Sequence, residues 1–140
     1  MAVTEWLIDK SAFVHIGTCV DAVTWSRRIE RGLVRVSTPT LLEIGYSARR
    51  AQDFTAALRQ PPLSRMPVQY LGPGAEDRAV EVLGELSQRG HHRAPSVPDL
   101  LLAATAEVAG LTVLHLDKDF QLIAEITGQP VERLALEPTP

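Results

Sequence analysis

The sequence predicts an α/β fold, a central parallel sheet with helices on both faces, and three observations carry that expectation. Short apolar runs at residues 6–8, 33–36, 66–71 and 112–116 alternate with stretches of helical periodicity, the pattern of βαβ units. The runs at 6–8 and 112–116 are nearly continuous in apolar residues rather than alternating, as strands covered on both faces require. The chain has 140 residues, 45% of them hydrophobic, with no internal repeat, low-complexity segment or linker. That is one domain over residues 1–140, with a core at about 6–127 and a C-terminal strand and tail at 128–140. A chain of this size buries roughly two-thirds of its unfolded surface without disulfides or a structural metal.

Each element has a local reason. Trp6-Leu7-Ile8 is a buried strand, and Asp9-Lys10-Ser11 turns it into a helix for which Ser11 is the candidate cap. A second helix is expected over residues 20–30, ended by Gly32. Leu33-Val34-Arg35-Val36 is the next strand, and Ser37-Thr38-Pro39 opens a helix to about Ala48, with Pro39 in its first turn. Residues 49–59 continue helical until Pro61-Pro62 stops them. Residues 66–71 form a third strand, and Gly72-Pro73-Gly74 is a turn. Ala79, Val82, Leu83 and Leu86 give the helix at 75–89 one buried face. After a loop at 90–95, Pro98-Asp99 starts a helix over 100–108 that is apolar nearly all round and therefore buried, closed by Gly110. Residues 112–116 form a strand ending at Asp117, a last helix covers 120–127, and 131–136 read as an edge strand before the tail Glu137-Pro-Thr-Pro.

Composition excludes several classes. The 14 basic and 17 acidic residues leave a net charge of −3, which argues against gripping nucleic acid by overall charge. Twelve of the 14 basic residues are Arg, a bias attributed to GC-rich coding. The one cysteine, Cys19, rules out an internal disulfide framework and a Cys-based zinc cluster. No apolar run approaches the roughly 20 residues of a membrane span, and residues 1–6 show no secretory signal pattern. A soluble protein of the cytoplasm is expected.

Function is read from acids that stand where apolar residues belong. Asp9 follows one apolar strand, and Asp117 and Asp119 follow another. Glu43 interrupts Leu41-Leu42-Glu43-Ile44, and Asp99 stands at the mouth of the all-apolar helix. In open α/β sheets ligands bind in the crevice at the carboxyl ends of the strands, where Asp9 and Asp117 belong. Taken singly, Asp9 and Asp99 also read as helix caps or first-turn residues and Asp117 and Asp119 as turn residues. Glu43 also reads as solvent-facing. Together, carboxylates in one crevice raise one another's pKa and call for a cation. Oxygen ligands with little His or Cys suit Mg²⁺ or Mn²⁺. Such ions lower the pKa of a bound water and neutralise charge on a phosphate, which is what cutting a phosphodiester requires.

These residues resemble a PIN domain of the VapC type, the toxin half of a bacterial toxin–antitoxin pair. The likeness rests on Asp9-Lys10-Ser11 after the first strand, Glu43 in an early helix, Pro98-Asp99 before a Leu/Ala-rich helix, and Asp117-Lys118-Asp119-Phe120 followed by Ile123-Ala124. It spans about residues 6 to 127, and the order and spacing of the motifs are more specific than any one of them. The resemblance implies a Mg²⁺- or Mn²⁺-dependent endoribonuclease acting on tRNA, rRNA or mRNA through metal-activated water and leaving 5′-phosphate and 3′-hydroxyl ends. It implies a homodimer held inactive by a VapB-like antitoxin in a toxin–antitoxin hetero-oligomer. Asp9, Glu43, Asp99 and Asp117 match the family's catalytic, metal-binding acids, with Asp119 as a fifth ligand and Ser11 as a supporting hydrogen-bonding residue. One departure stands out. Many members place Thr or Ser just before the last acidic cluster, whereas this chain has His115 and Leu116.

Two rivals are weighed. An inactive binding module of the same fold predicts a missing acid, and none is missing. A haloacid dehalogenase-type phosphohydrolase needs Asp-x-Asp after its first strand, and Ser11 occupies the second position. Among the other polar residues, His91-His92 makes a poor chelate, and His115 reads as a core or helix contact ahead of a substrate contact. Arg27, Arg28, Arg31, Arg49 and Arg50 read as solvated helix faces ahead of a phosphate path, and Trp6 and Trp25 as core.

Overall fold

The computed structural model describes residues 3–138; Thr139 and Pro140 of the expected tail and Met1 and Ala2 lie outside them. Five parallel strands form one sheet in the order β3-β2-β1-β4-β5. They are β1 (Trp6–Ile8), β2 (Val34–Ser37), β3 (Val68–Gln69), β4 (Thr112–His115) and β5 (Val131–Arg133). The helices are α1 (Lys10–Phe13), α2 (Ala22–Glu30), α3 (Thr38–Ser47), α4 (Ala51–Arg59), α5 (Pro73–Gln88), α6 (Val97–Ala109) and α7 (Asp119–Thr127). A short 3₁₀ turn, Leu63–Arg65, lies between α4 and β3.

Alternation along the central strands feeds two cores, as a doubly covered sheet demands. Trp6 and Ile8 of β1 and Leu114 of β4 pack with Ala12, Ile16, Trp25 and Ile29 on one face. Leu7 and Val113 turn the other way, onto Val82, Leu86, Leu102, Ala106 and Phe120. The all-apolar α6 is buried as expected, from Leu100 through Ala106 apart from a partly buried Leu101. Trp6 and Trp25 are core residues, their rings edge to face at 5.0 Å. No helix among the described residues is long and apolar enough to cross a membrane.

Several boundaries differ from expectation, each for a reason outside the local sequence. Asp9, not Ser11, caps α1. The second helix starts at Ala22 because the Val20 amide donates to Ala135 O at 3.0 Å, pairing that segment with the C-terminal chain. The stretch expected to run on from 49 to 59 is broken at Ala48 and Arg50, both extended, and the break lays Phe54 of α4 against Gly45 of α3. A Cβ on Gly45 would sit 2.7 Å from that ring. The expected turn at Gly72-Pro73-Gly74 is the start of α5, where Pro73 fits the first turn because no amide is needed there. Helix α6 begins at Val97 under a Ser96 cap, so Asp99 is a first-turn residue and not the cap. The edge strands β3 and β5 are shorter than expected because their partners run out. β2 turns into α3 at Thr38, and β4 ends at His115 where the Leu116 amide leaves the ladder.

Candidate metal and catalytic site

All five strands are parallel, so every strand-to-helix turn opens on one edge, and the acids follow from that topology. Asp9 ends β1, Asp117 follows β4, and α3 leaves β2 carrying Glu43 on its second turn. Helix α6, packed against β1, β4 and α3, brings its first turn to the same place. The result is a crevice of about 360 Å³ lined by Asp9, Lys10, Ser11, Glu43, Ser96, Asp99, Asp117 and Asp119, with Val14 and Ala94.

Every acid expected from the sequence lies in this crevice. Asp99, Asp117 and Asp119 each bring a carboxylate oxygen within 4.8 Å of the others. Asp9 and Glu43 line the same walls without joining that trio. His91 and His92 lie exposed in the loop before α6 and contribute nothing to it. Arg28 stacks over Trp6 and Trp25, at 4.7 Å and 4.4 Å from the ring centroids. Arg50 pairs with Asp53 at 3.3 Å. Both arginines therefore have local partners.

Two of the carboxylates, those of Asp9 and Asp117, are held by hydrogen bonds from nearby residues. Asp9 is 5% exposed, and its Oδ2 accepts from the Ser11 amide at 3.0 Å and the Ser11 hydroxyl at 2.6 Å. Ser11 Oγ in turn accepts from the Leu116 amide at 2.9 Å, tying the ends of β1 and β4 together. Asp117 Oδ1 accepts from the Asp119 amide at 3.0 Å. Its own amide donates to His115 Nδ1 at 3.2 Å. The Asp99 amide donates to Ser96 Oγ at 3.2 Å. Lys10 Nζ donates to Ser47 Oγ, which links the α1 turn to the end of α3.

Electrostatics mark the crevice as short of positive charge. Burial, then the neighbouring charges of Asp9 and Asp117, push the pKa of Asp99 up to about 7. Glu43 is raised by burial and Asp9, with Lys10 opposing. Asp119 is raised by burial and Asp117. His115 moves the other way, held below its ordinary value by burial and by Arg133. Three converging carboxylate oxygens, two of them on groups whose ionisation is opposed by burial and by neighbouring negative charge, fit a hard divalent cation.

The sequence did not point to two hydroxyls that serve this site. Ser96 caps α6 beside Asp99. Thr40 is fully buried, with its Oγ1 3.3 Å from Ser37 Oγ and 3.5 Å from Ile8 O, and it holds the start of α3 against the end of β1. Capping chemistry is the one available signal for Ser96, through the Ser at three residues before Asp99.

The PIN domain matches the chain over residues 6–126. Ribonuclease VapC2 of Mycobacterium tuberculosis is 58% identical over 134 residues, covering 96% of this chain and 95% of that protein. The VapBC2 structure from Rickettsia felis, bound to a DNA fragment from its promoter, superposes with a TM-score of 0.76 at 18% identity over 93% of this chain and 98% of that one. VapBC-5 of Mycobacterium tuberculosis, from the VapBC family of toxin–antitoxin systems, does so with a TM-score of 0.65 at 21% identity over 96% and 100%. The structural likenesses concern the fold, and the sequence identity carries the kinship. The chain belongs to the PIN domain family and, within it, to the group of the VapC ribonucleases.

Proposed function

We propose that the chain is the toxin of a toxin–antitoxin pair, an endoribonuclease that hydrolyses RNA phosphodiester bonds with Mg²⁺ or Mn²⁺. The observation that carries this reading is the convergence of Asp99, Asp117 and Asp119 within 4.8 Å in a crevice shared with Asp9 and Glu43. Asp99, Asp117 and Asp119 are the ligands the geometry favours, and Asp9 and Glu43 complete the acidic wall. Ser11 keeps Asp9 in place and joins it to the turn that carries Asp117. A bound divalent ion would lower the pKa of a water and neutralise charge on the phosphate. Ligands that offer oxygen alone suit a hard cation such as Mg²⁺ or Mn²⁺ over a softer one, and Asp99 would hold the ion in its ionised form. RNA as substrate, whether tRNA, rRNA or mRNA, sets the activity in the bacterial cytoplasm.

Two partners belong to the reading. A VapB-like antitoxin inhibits the site, and a cationic side chain reaching the acids has the electrostatics for it. A second copy of the chain covers the apolar surface of about 410 Å³ beside the crevice, lined by Pro39, Leu42, Tyr46, Pro98 and Leu101 with Lys10 and Glu43 at its edge. Leu42 is 65% and Tyr46 94% exposed in the single chain. The chemistry is tested by the ends of the RNA fragments made in Mn²⁺. Fragments with 5′-phosphate and 3′-hydroxyl ends agree with attack by water. A 2′,3′-cyclic phosphate would mean attack by the RNA's own 2′-hydroxyl and refute the proposal.

A further inference from the structure

We infer that His115 is a positioning residue for the metal site, acting through its Nδ1 on the backbone that presents Asp117. His115 is fully buried at the end of β4. The Asp117 amide donates to Nδ1 at 3.2 Å, so Nδ1 carries no proton and the ring's hydrogen sits on Nε2. Among the described residues that Nε2 has no hydrogen-bonding partner. A buried N–H without a partner is unfavourable, and Leu or Phe at this position would remove it while filling much of the same space against Phe120, whose ring lies 5.2 Å away. Packing alone therefore does not account for an imidazole here. What the ring supplies and an apolar residue cannot is the acceptor for the Asp117 amide.

That acceptor matters because the turn after β4 is made of linked bonds. Leu116 N–H goes to Ser11 Oγ, Asp117 N–H to His115 Nδ1, and Asp119 N–H to Asp117 Oδ1. The middle bond fixes the peptide plane from which the Asp117 carboxylate is aimed at Asp99 and Asp119. The inference rests on the proposal that Asp117 is a metal ligand.

The test is Mn²⁺ binding by calorimetry, with thermal melting, for the full chain and three variants. His115→Asn keeps an oxygen acceptor near the place of Nδ1, His115→Leu keeps bulk without an acceptor, and Asp117→Asn tests the ligand itself. Outer groups that orient ligands are worth about 10–100-fold in affinity. The expected result is affinity about tenfold weaker in His115→Leu, restored to within about threefold in His115→Asn, with the melting temperature of His115→Leu equal to or above that of the parent chain. Equal affinity in the parent and His115→Leu overturns the inference, as does His115→Asn no better than His115→Leu. Parallel loss of affinity and melting temperature in both His115 variants also overturns it, by making the ring a packing residue. If Asp117→Asn binds Mn²⁺ as the parent does, the ligand reading of Asp117 fails instead.

Discussion

Asp99 sits in its crevice with a pKa of about 7 because burial and the charges of Asp9, Asp117 and Glu43 oppose its ionisation. The sign of the resulting pH dependence follows directly. Below pH 4 the carboxyl is protonated in folded and unfolded chain alike, with no penalty. Between pH 4 and 7 the unfolded chain releases the proton while the folded chain holds it, so stability falls as pH rises and the loss is complete above 7. A shift from 3.8 to about 7 corresponds to roughly 4 kcal/mol. Denaturant unfolding of the metal-free chain should therefore show Asp99→Asn close to the parent at pH 4 and more stable by a few kcal/mol at pH 8. Added Mn²⁺ should reverse that order at pH 8, because the ion replaces the proton only where a carboxylate remains. A constant difference across pH would contradict the burial and charge account of Asp99.

The acids are legible in the sequence because they interrupt or end apolar segments, and local roles such as the Asp9 cap of α1 do not account for all five together. The residues that hold the acids were less legible. The family resemblance implies a supporting role for Ser11, but its bond to the Leu116 amide crosses 105 positions of chain, which no local pattern encodes. His115 reads from the sequence as a core or helix contact, and it is fully buried. Its bond to the Asp117 amide depends on the turn after β4, which only folding defines.

At the scale of the element, α6 decides where Asp99 stands. Ser96 begins the helix by accepting the Asp99 amide, and the same hydroxyl lowers the pKa of the Asp99 carboxyl. Ser96→Ala should cost about 1 kcal/mol of stability as a lost cap. It should also move the onset of Mn²⁺ binding to higher pH, since nothing then offsets burial. Melting temperature and the pH profile of Mn²⁺ affinity check the two effects separately. The order of the elements was legible because apolar runs and helical faces alternate. Their ends were not, since hydrogen bonds from distant chain set them. Gly45 shows the limit: its missing side chain leaves room for the Phe54 ring where α3 gives way to α4, a contact that no local pattern encodes.

At the scale of the whole molecule, a parallel sheet puts its strand ends on one edge, and five acids, carried by α3, α6, α7 and the turns after β1 and β4, meet there. The apolar face formed by Leu42, Tyr46, Pro98 and Leu101 lies next to that edge, so dimer formation would set two crevices in fixed relation. Tyr46→Glu should shift sedimentation from dimer toward monomer with little change in melting temperature at high dilution, because Tyr46 is 94% exposed within one chain. An unchanged dimer would place the contact elsewhere. A net charge of −3 offers RNA no general attraction, so on the proposed reading a divalent ion, with Lys10 beside it, would supply the positive charge in the crevice. Cleavage should accordingly stop when it is removed.

The most direct measurement is therefore cleavage of total cellular RNA by antitoxin-free chain in Mg²⁺ or Mn²⁺, set beside Asp99→Asn and an EDTA control. The account predicts discrete fragments from the parent chain, none with EDTA, recovery on adding Mn²⁺ back, and a loss of at least about a hundredfold in Asp99→Asn, the scale on which removing one preorganised charge-stabilising group acts. Equal cleavage by the parent and Asp99→Asn, or cleavage that survives EDTA, would contradict it.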